Sequence, residues 1–242
     1  MKMRTTNKFG FLSWCCGLFL GISLYAQPQP GVYIATENST GGTLHHVLML
    51  SANYVIHTAY ETNPPHFLGT SGGFYQMNED SLQITLEFND DFAHLESTQF
   101  AWSYGYSDGK LILNGNEDLP FVMEPQLEQE LDGAWLFATR GPDTGQDRRG
   151  DETPRKTLKF LRDGYFQWIA YNTDTFEFFG AGGGRYAAID GTYTEVIQFF
   201  SRDNSRVGAE LQFDFERIGT DWHHKGLNSK GEPLYEIWSL RE

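Results

Sequence analysis

Apolar and polar residues alternate along most of this chain, and the alternation has the period of a strand. Thr192-Tyr-Thr-Glu-Val-Ile-Gln-Phe199 and Glu210-Leu-Gln-Phe-Asp-Phe215 are clear runs. A two-residue period puts every second side chain on one face of a sheet. In the C-terminal half the pattern predicts strands near 133–139, 156–161, 164–171, 176–188, 192–201, 207–218, 221–226 and 234–240. These segments are rich in aromatic and β-branched residues, which suit a half-buried pleated surface. Arg162-Asp-Gly164, Asp190-Gly191, Ile218-Gly-Thr220 and Lys230-Gly-Glu-Pro233 separate them as turns. No segment carries a helical period. Eight short strands in succession predict an antiparallel up-and-down barrel, whose closure leaves no exposed edge. Residues 140–155, RGPDTGQDRRGDETPR, contain no core-forming residue and read as a long mobile loop.

The same pattern occurs twice. At a constant spacing of 111 residues, Val47–Asn89 aligns with Leu158–Phe200 without a gap, and eleven of the 43 pairs are identical. Among them are Tyr54/Tyr165, Phe67/Phe178, Gly69/Gly180, Gly72-Gly73/Gly183-Gly184, Tyr75/Tyr186 and Phe88/Phe199. Average residue usage would give about three by chance. Gly31-Val-Tyr33 against Gly133-Ala-Trp135 extends the match loosely, so the expectation is a tandem duplication. The units span 27–126 and 130–242, giving an all-β protein of two eight-stranded antiparallel barrels.

The glycines of FFGAGGGRYAAIDGTYTEVIQF (178–199) do not form a phosphate loop. Arg185 stands where a dinucleotide fingerprint needs its third glycine, and no helix follows. Within strands, glycines mark a bulge or a close backbone approach. With Asp190-Gly191 as a two-residue turn, Tyr186 faces Glu195 and Ala188 faces Tyr193, so the four share one side of the sheet. Their first-unit equivalents are Tyr75, Met77, Leu82 and Ile84, an apolar set that marks this side as interior. The opposite side of the first hairpin carries Gln76, Gln83, Thr85 and Glu87, with Phe74 the exception. Leu111 and Leu113 likewise correspond to Trp222 and His224. Phe121 and Met123 are set against Glu236 and Trp238 through a four-residue shift. The second barrel therefore carries polar groups where the first has core. Glu195, Tyr186, Tyr193, Trp222, His224, Glu236 and Trp238 are the candidate ligand-binding residues, in a polar cavity absent from a filled first barrel. The alternative is that these groups satisfy one another, because a buried carboxylate needs a partner.

The second unit runs through Gly133-Ala-Trp135, Phe166-Gln-Trp168, Gly182-Gly-Gly-Arg-Tyr186, Tyr193-Thr-Glu195 and Glu236-Ile-Trp238. It resembles the lipocalin-like (calycin-type) domains of secreted proteins from Bacteroidetes, and the first unit resembles a degraded copy. The resemblance implies a barrel enclosing a small-molecule cavity and names no ligand.

Composition narrows the function. Lys2, Arg4 and Lys8, the apolar stretch Phe9–Leu24 and Ala26 read as a secretory leader over residues 1–26, so the protein is expected to be exported, periplasmic or secreted. Cys15 in a lipobox-like setting leaves a lipid anchor open. Both cysteines lie in the leader, so the remainder has neither disulfide nor thiolate chemistry. No later segment is apolar enough to span a membrane. The net charge is −14, and residues 27–129 carry 13 acidic residues against one basic. Such a chain is a poor partner for nucleic acid. His45-His46 and His223-His224 are adjacent on strands, point to opposite faces and make no metal site. No nucleophile elbow or cofactor fingerprint occurs, so neither catalytic residues nor a cofactor is assigned. The leading expectation is a non-enzymatic protein binding a small hydrophobic or sugar-like ligand in the second barrel. One alternative is a small hydrolase-like enzyme using Glu195, Glu236 and His224 as acid/base groups. The other is an interaction module in which the acidic first unit docks a partner.

Overall fold

A computed structural model describes residues 27–39, 42–95, 97–228 and 230–241. The leader expected over residues 1–26 lies outside the described residues. The described residues are all-β in class, with two short 3-10 turns at Phe92–His94 and Asn204–Arg206.

The first unit comprises β1 (Gly31–Ser39), β2 (Gly42–Leu50), β3 (Tyr54–Thr62), β4 (Pro65–Met77), β5 (Ser81–Asn89), β6 (Gln99–Ser107), β7 (Lys110–Leu113) and β8 (Val122–Met123). The second comprises β9 (Gly133–Arg140), β10 (Arg155–Arg162), β11 (Tyr165–Asn172), β12 (Phe178–Ile189), β13 (Thr192–Phe200), β14 (Glu210–Ile218), β15 (Asp221–Leu227) and β16 (Pro233–Leu240). Each strand from β1 to β7, and from β9 to β16, pairs antiparallel with its neighbour in sequence. In the second unit β16 pairs with β9 and closes the barrel. In the first, β8 makes two residue pairs with β1, and the remaining gap is spanned by one bridge, Leu111 to Phe121. The first barrel is therefore nearly closed, as a shortened last hairpin allows.

Local chemistry explains the turns and bulges. Asp190 (φ 49°) and Gly191 (φ 77°) both have positive φ, the geometry that the twist of a two-residue hairpin requires. The pairing that follows sets Tyr186 against Glu195 and Ala188 against Tyr193, with Tyr75 against Ile84 and Met77 against Leu82 in the first unit. The shared glycines sit at matching bulges, between Gly72 and Gly73 and between Gly183 and Gly184. A Cβ on Gly73 would lie 2.1 Å from the Thr85 carbonyl oxygen, and one on Gly184 would lie 2.1 Å from that of Val196. Only glycine lets the backbones approach so closely.

Pairing across the last hairpins corrects one correspondence. Leu111 bridges Phe121 just as Trp222 pairs with Trp238. The two spacings are 10 and 16 residues, so the first unit lacks six residues here, not four. Trp238 therefore corresponds to Phe121, and Glu236 to Leu119, whose side chain packs on the first barrel's core. The parity is unchanged, and so is the face.

Three apolar clusters hold the molecule. One fills the first barrel, around Leu48, Leu50, Leu82, Ile84, Leu111 and Phe121. One fills the second, around Trp135, Leu161, Phe166, Tyr193, Phe213 and Trp222. The third lies between the barrels and joins Val32, Met49, Ile56, Tyr60 and Phe88 to Leu158, Phe160, Ile169, Tyr171 and Phe199. Burial of each such side chain stabilises by about 1.5–3 kcal/mol. β10 and β11 thus bury both faces, one in their own barrel and one against its sister. Polar contacts fit the same interface. The Gln167 amide accepts from Thr58 Oγ1 at 2.7 Å and donates to Thr70 Oγ1 at 2.8 Å. Arg241 meets Glu87 through two 2.7 Å hydrogen bonds, and Glu87 also accepts from the hydroxyls of Tyr54 and Tyr171.

The segment 140–155, expected to be a mobile loop, is pinned by its charges. Arg149 N–H donates to the Ala138 carbonyl, Arg148 pairs with Asp143 and Asp221, and Asp151 pairs with Arg241.

Candidate functional site

The lumen of the second barrel brings together the residues that its sister replaces with core. Glu195 on β13 is 4% exposed, and its Oε1 accepts from Lys159 Nζ at 2.7 Å and from the Tyr193 hydroxyl at 2.8 Å. Lys159, on β10, is the residue that the sequence reading missed. A signal for it existed, since the 111-residue spacing aligns it with Leu48, a core residue of the first barrel. Its ammonium lies 4.9, 5.0 and 5.4 Å from the ring centroids of Tyr193, Trp222 and Trp238. The first barrel's Leu48 and Ile84 are thus replaced by an ion pair walled by aromatic faces, which attract a cation through their quadrupoles. Burial, and then the adjacent Glu195 carboxylate, push the Tyr193 hydroxyl well above its ordinary pKa, so it remains a donor.

Trp222 is fully buried and packs its ring against Trp135, Tyr193, His224 and Trp238. Tyr186 points to the other end of the lumen and donates to Asp132 in the connector between the barrels. Six of the seven candidates, Glu195, Tyr193, Tyr186, Trp222, His224 and Trp238, therefore pack into the barrel's interior.

Glu236 stands apart, because it borders open space that Trp238 also lines. β9 pairs with β10 only from Gly133–Leu161 to Leu136–Leu158. Beyond that the two strands diverge, and residues 146–149 cross the gap. A cavity of about 490 Å³ opens in this seam, lined by Phe137, Arg140, Arg149, Thr157, Glu236 and Trp238, among others. Arg140 and Arg149, like Lys159, were not singled out from sequence. Neither lies within ion-pair distance of a carboxylate among the described residues, although Arg149 rests 5.3 Å from the centre of the Phe137 ring. The Trp238 Nε1 is buried with no hydrogen-bond partner.

His224 sits behind Glu236. It is 2% exposed, and neither ring nitrogen has a hydrogen-bond partner. Its Nδ1 is 3.6 Å from Glu236 Oε2, too long for a hydrogen bond. Burial, reinforced by the nearby Lys159 charge, lowers the His224 pKa, so the ring is neutral at pH 7. Burial works against the Glu236 charge, but His224, Lys159 and Arg140 outweigh it and hold the carboxyl below its usual pKa. The seam thus presents an ionised carboxylate, a neutral imidazole behind it, and two arginines outside ion-pair distance of any carboxylate among the described residues.

The first barrel is not wholly apolar. His46 Nδ1 and His57 Nε2 lie 3.1 Å apart across neighbouring strands, and His46 Nε2 is 3.2 Å from Glu37. The imidazoles are nearly coplanar, 7° between planes with centroids 5.3 Å apart, which suits one shared in-line proton. In the sequence His46 stands out only beside its neighbour His45. Its partner comes from the next strand instead. Among the described residues no three His, Cys, Asp or Glu side chains converge as a metal site, and no helix is long and apolar enough to cross a membrane.

These features define a tandem of two antiparallel eight-stranded barrels, one closed and one nearly closed, with a polar opening in the closed one. No protein-family model matches the chain, and no curated protein is similar to it.

Proposed function

We propose that this is an exported, lipocalin-like binding protein that takes a small polar ligand in the seam of its second barrel. The observation that carries the reading is the 490 Å³ cavity lined by Arg140, Arg149, Glu236 and Trp238, within the size range of small-molecule sites. Arg140, Arg149 and Gln146 supply donors there, and Glu236 supplies an acceptor. A ligand carrying both donors and acceptors, as sugars do, fits this lining better than a purely hydrophobic one. Glu195, Tyr193 and Lys159 then act as the frame under the site, since they satisfy one another. The same pairing weakens the acid/base reading, because Glu195 Oε1 is already committed to Lys159 and Tyr193.

Native mass spectrometry of the protein taken from its own cells tests this. A retained small molecule is expected, and Thr157→Tyr, which fills the cavity, is expected to remove it. A wild-type protein free of any retained molecule, or a molecule held equally by Thr157→Tyr, would sink the proposal.

A further inference from the structure

A second concavity lies on the outside of the first barrel, where β4, β5 and β6 run side by side. It measures about 630 Å³, and its walls include Asn53, Phe74, Gln76, Gln83, Thr85 and Gln99. None of its lining residues is charged. That is unexpected in a half-chain with 13 acidic residues and one basic. The side chains of Gln76, Thr85 and Gln99 have no hydrogen-bond partner among the described residues, and Gln83 spends only its amide N–H, on Ser81 at 3.1 Å. Each free amide offers a carbonyl acceptor and two N–H donors.

Phe74 stands beside these amides, 37% exposed on an otherwise polar face. It is held firmly. The Arg241 guanidinium lies 4.6 Å from its ring centre, and the Tyr54 ring meets it edge-on at 5.1 Å. Arg241 is itself fixed by its two hydrogen bonds to Glu87. The result is a rigid aromatic plate next to a row of uncharged donor–acceptor groups.

The hairpin does not need this set of residues. At the corresponding positions of the second unit, Phe74, Gln76, Gln83 and Thr85 become Arg185, Ala187, Thr194 and Val196, in a hairpin of the same register. Arg185 is engaged instead with Glu124 and the Tyr165 ring.

We infer that this groove is a saccharide-binding site, distinct from the seam of the second barrel, and that its ligand is a neutral oligosaccharide. Hydroxyl groups both donate and accept, so they match amides on both counts. The C–H face of a pyranose ring covers an aromatic plate without desolvating a charge. An ionic ligand would lose its hydration here and meet no counter-charge. A polyanionic glycan would also be repelled by the net charge of −14.

Native gel electrophoresis of the purified protein through soluble polysaccharides tests the inference. The panel comprises mixed-linkage β-glucan, xyloglucan, galactomannan and amylopectin as neutral probes, with alginate as the anionic one. At least one neutral polymer is expected to retard the protein, and alginate is not. Phe74→Ala is expected to weaken retardation by about tenfold or more, and Gln99→Ala, a surface change that leaves the core intact, by about threefold. Thr157→Tyr, in the second barrel, should leave it unchanged. The inference is overturned if no neutral polymer retards the protein, if alginate does so equally, or if Phe74→Ala and Gln99→Ala are without effect. Loss of retardation in Thr157→Tyr alone would place sugar binding in the second barrel and overturn it too.

Discussion

The ion pair in the second barrel can be exchanged for the apolar solution that the protein already uses in its first. Lys159, Tyr193 and Glu195 occupy the positions of Leu48, Leu82 and Ile84. Glu195→Ile alone leaves the Lys159 ammonium buried with three aromatic rings and no counter-charge, and leaves the Tyr193 hydroxyl without an acceptor. Removing one partner of a buried pair costs about 3–5 kcal/mol, and an orphaned hydroxyl adds about 1–3 kcal/mol. The triple change Lys159→Met, Tyr193→Phe and Glu195→Ile removes both charges and the hydroxyl together. It is expected to lie between unchanged and about 4 kcal/mol more stable than wild type, with the lost cation–π contacts holding it toward the lower end. At roughly 2–4 °C per kcal/mol for a chain of this size, the single variant should melt about 8–32 °C below wild type and the triple variant at or above it. Urea unfolding followed by tryptophan fluorescence, with thermal circular dichroism, separates these outcomes. If the triple variant proves as unstable as Glu195→Ile, or if Glu195→Ile costs less than about 1 kcal/mol, the claim of a mutually satisfied buried pair is wrong.

Other expectations follow from the same geometry. Glu87→Ala strips Arg241, Tyr54 and Tyr171 of their common acceptor; it should cost about 3–5 kcal/mol and hasten protease cleavage in the connector at 124–132, and an unchanged cleavage rate would show that the barrels do not depend on it. Gly184→Ala and Gly73→Ala should each cost roughly 2–4 kcal/mol, whereas Gly105→Ala, whose Cβ would meet nothing within 4 Å, should stay within about 0.5 kcal/mol; equal effects would refute the bulge argument. Burial pushes His57 down to about 4 and also lowers His224. For a histidine lowered in this way the unfolded state binds more protons, so the stability it permits is complete above about pH 6.5 and is lost as pH falls toward the folded value. The urea midpoint should therefore drop between pH 7.5 and pH 5, and less steeply in His57→Gln; a flat profile in the wild type would contradict neutral burial.

Period-two alternation and the Asp-Gly turn made the strands, their order and the pairing of Tyr186 with Glu195 legible before any coordinates, because hairpin register depends on residues only a few positions apart. The duplication did more, since comparing Ile84 with Glu195 exposed a carboxylate on an inner face. The same comparison contained Leu48 and Lys159, yet a lysine in a strand reads as an outward residue when its partner is unseen. That partner is 36 positions away, and only closure of the barrel brings the two within 2.7 Å. The interface decided Phe74 in the same way: it looks misplaced on a polar face until Arg241, from the far end of the chain, is set behind it. The last-hairpin correspondence went astray because a six-residue deletion falls where the repeat has lost its identities, and only cross-strand pairing restores the register. The seam cavity has no local signal at all. It arises where β9 and β10 part, from a mismatch in how far each strand pairs around the ring. Residue pattern along the chain determined which side chains face inward. Contacts between distant segments decided which of them are satisfied, which remain open to a ligand, and where the barrel wall gives way.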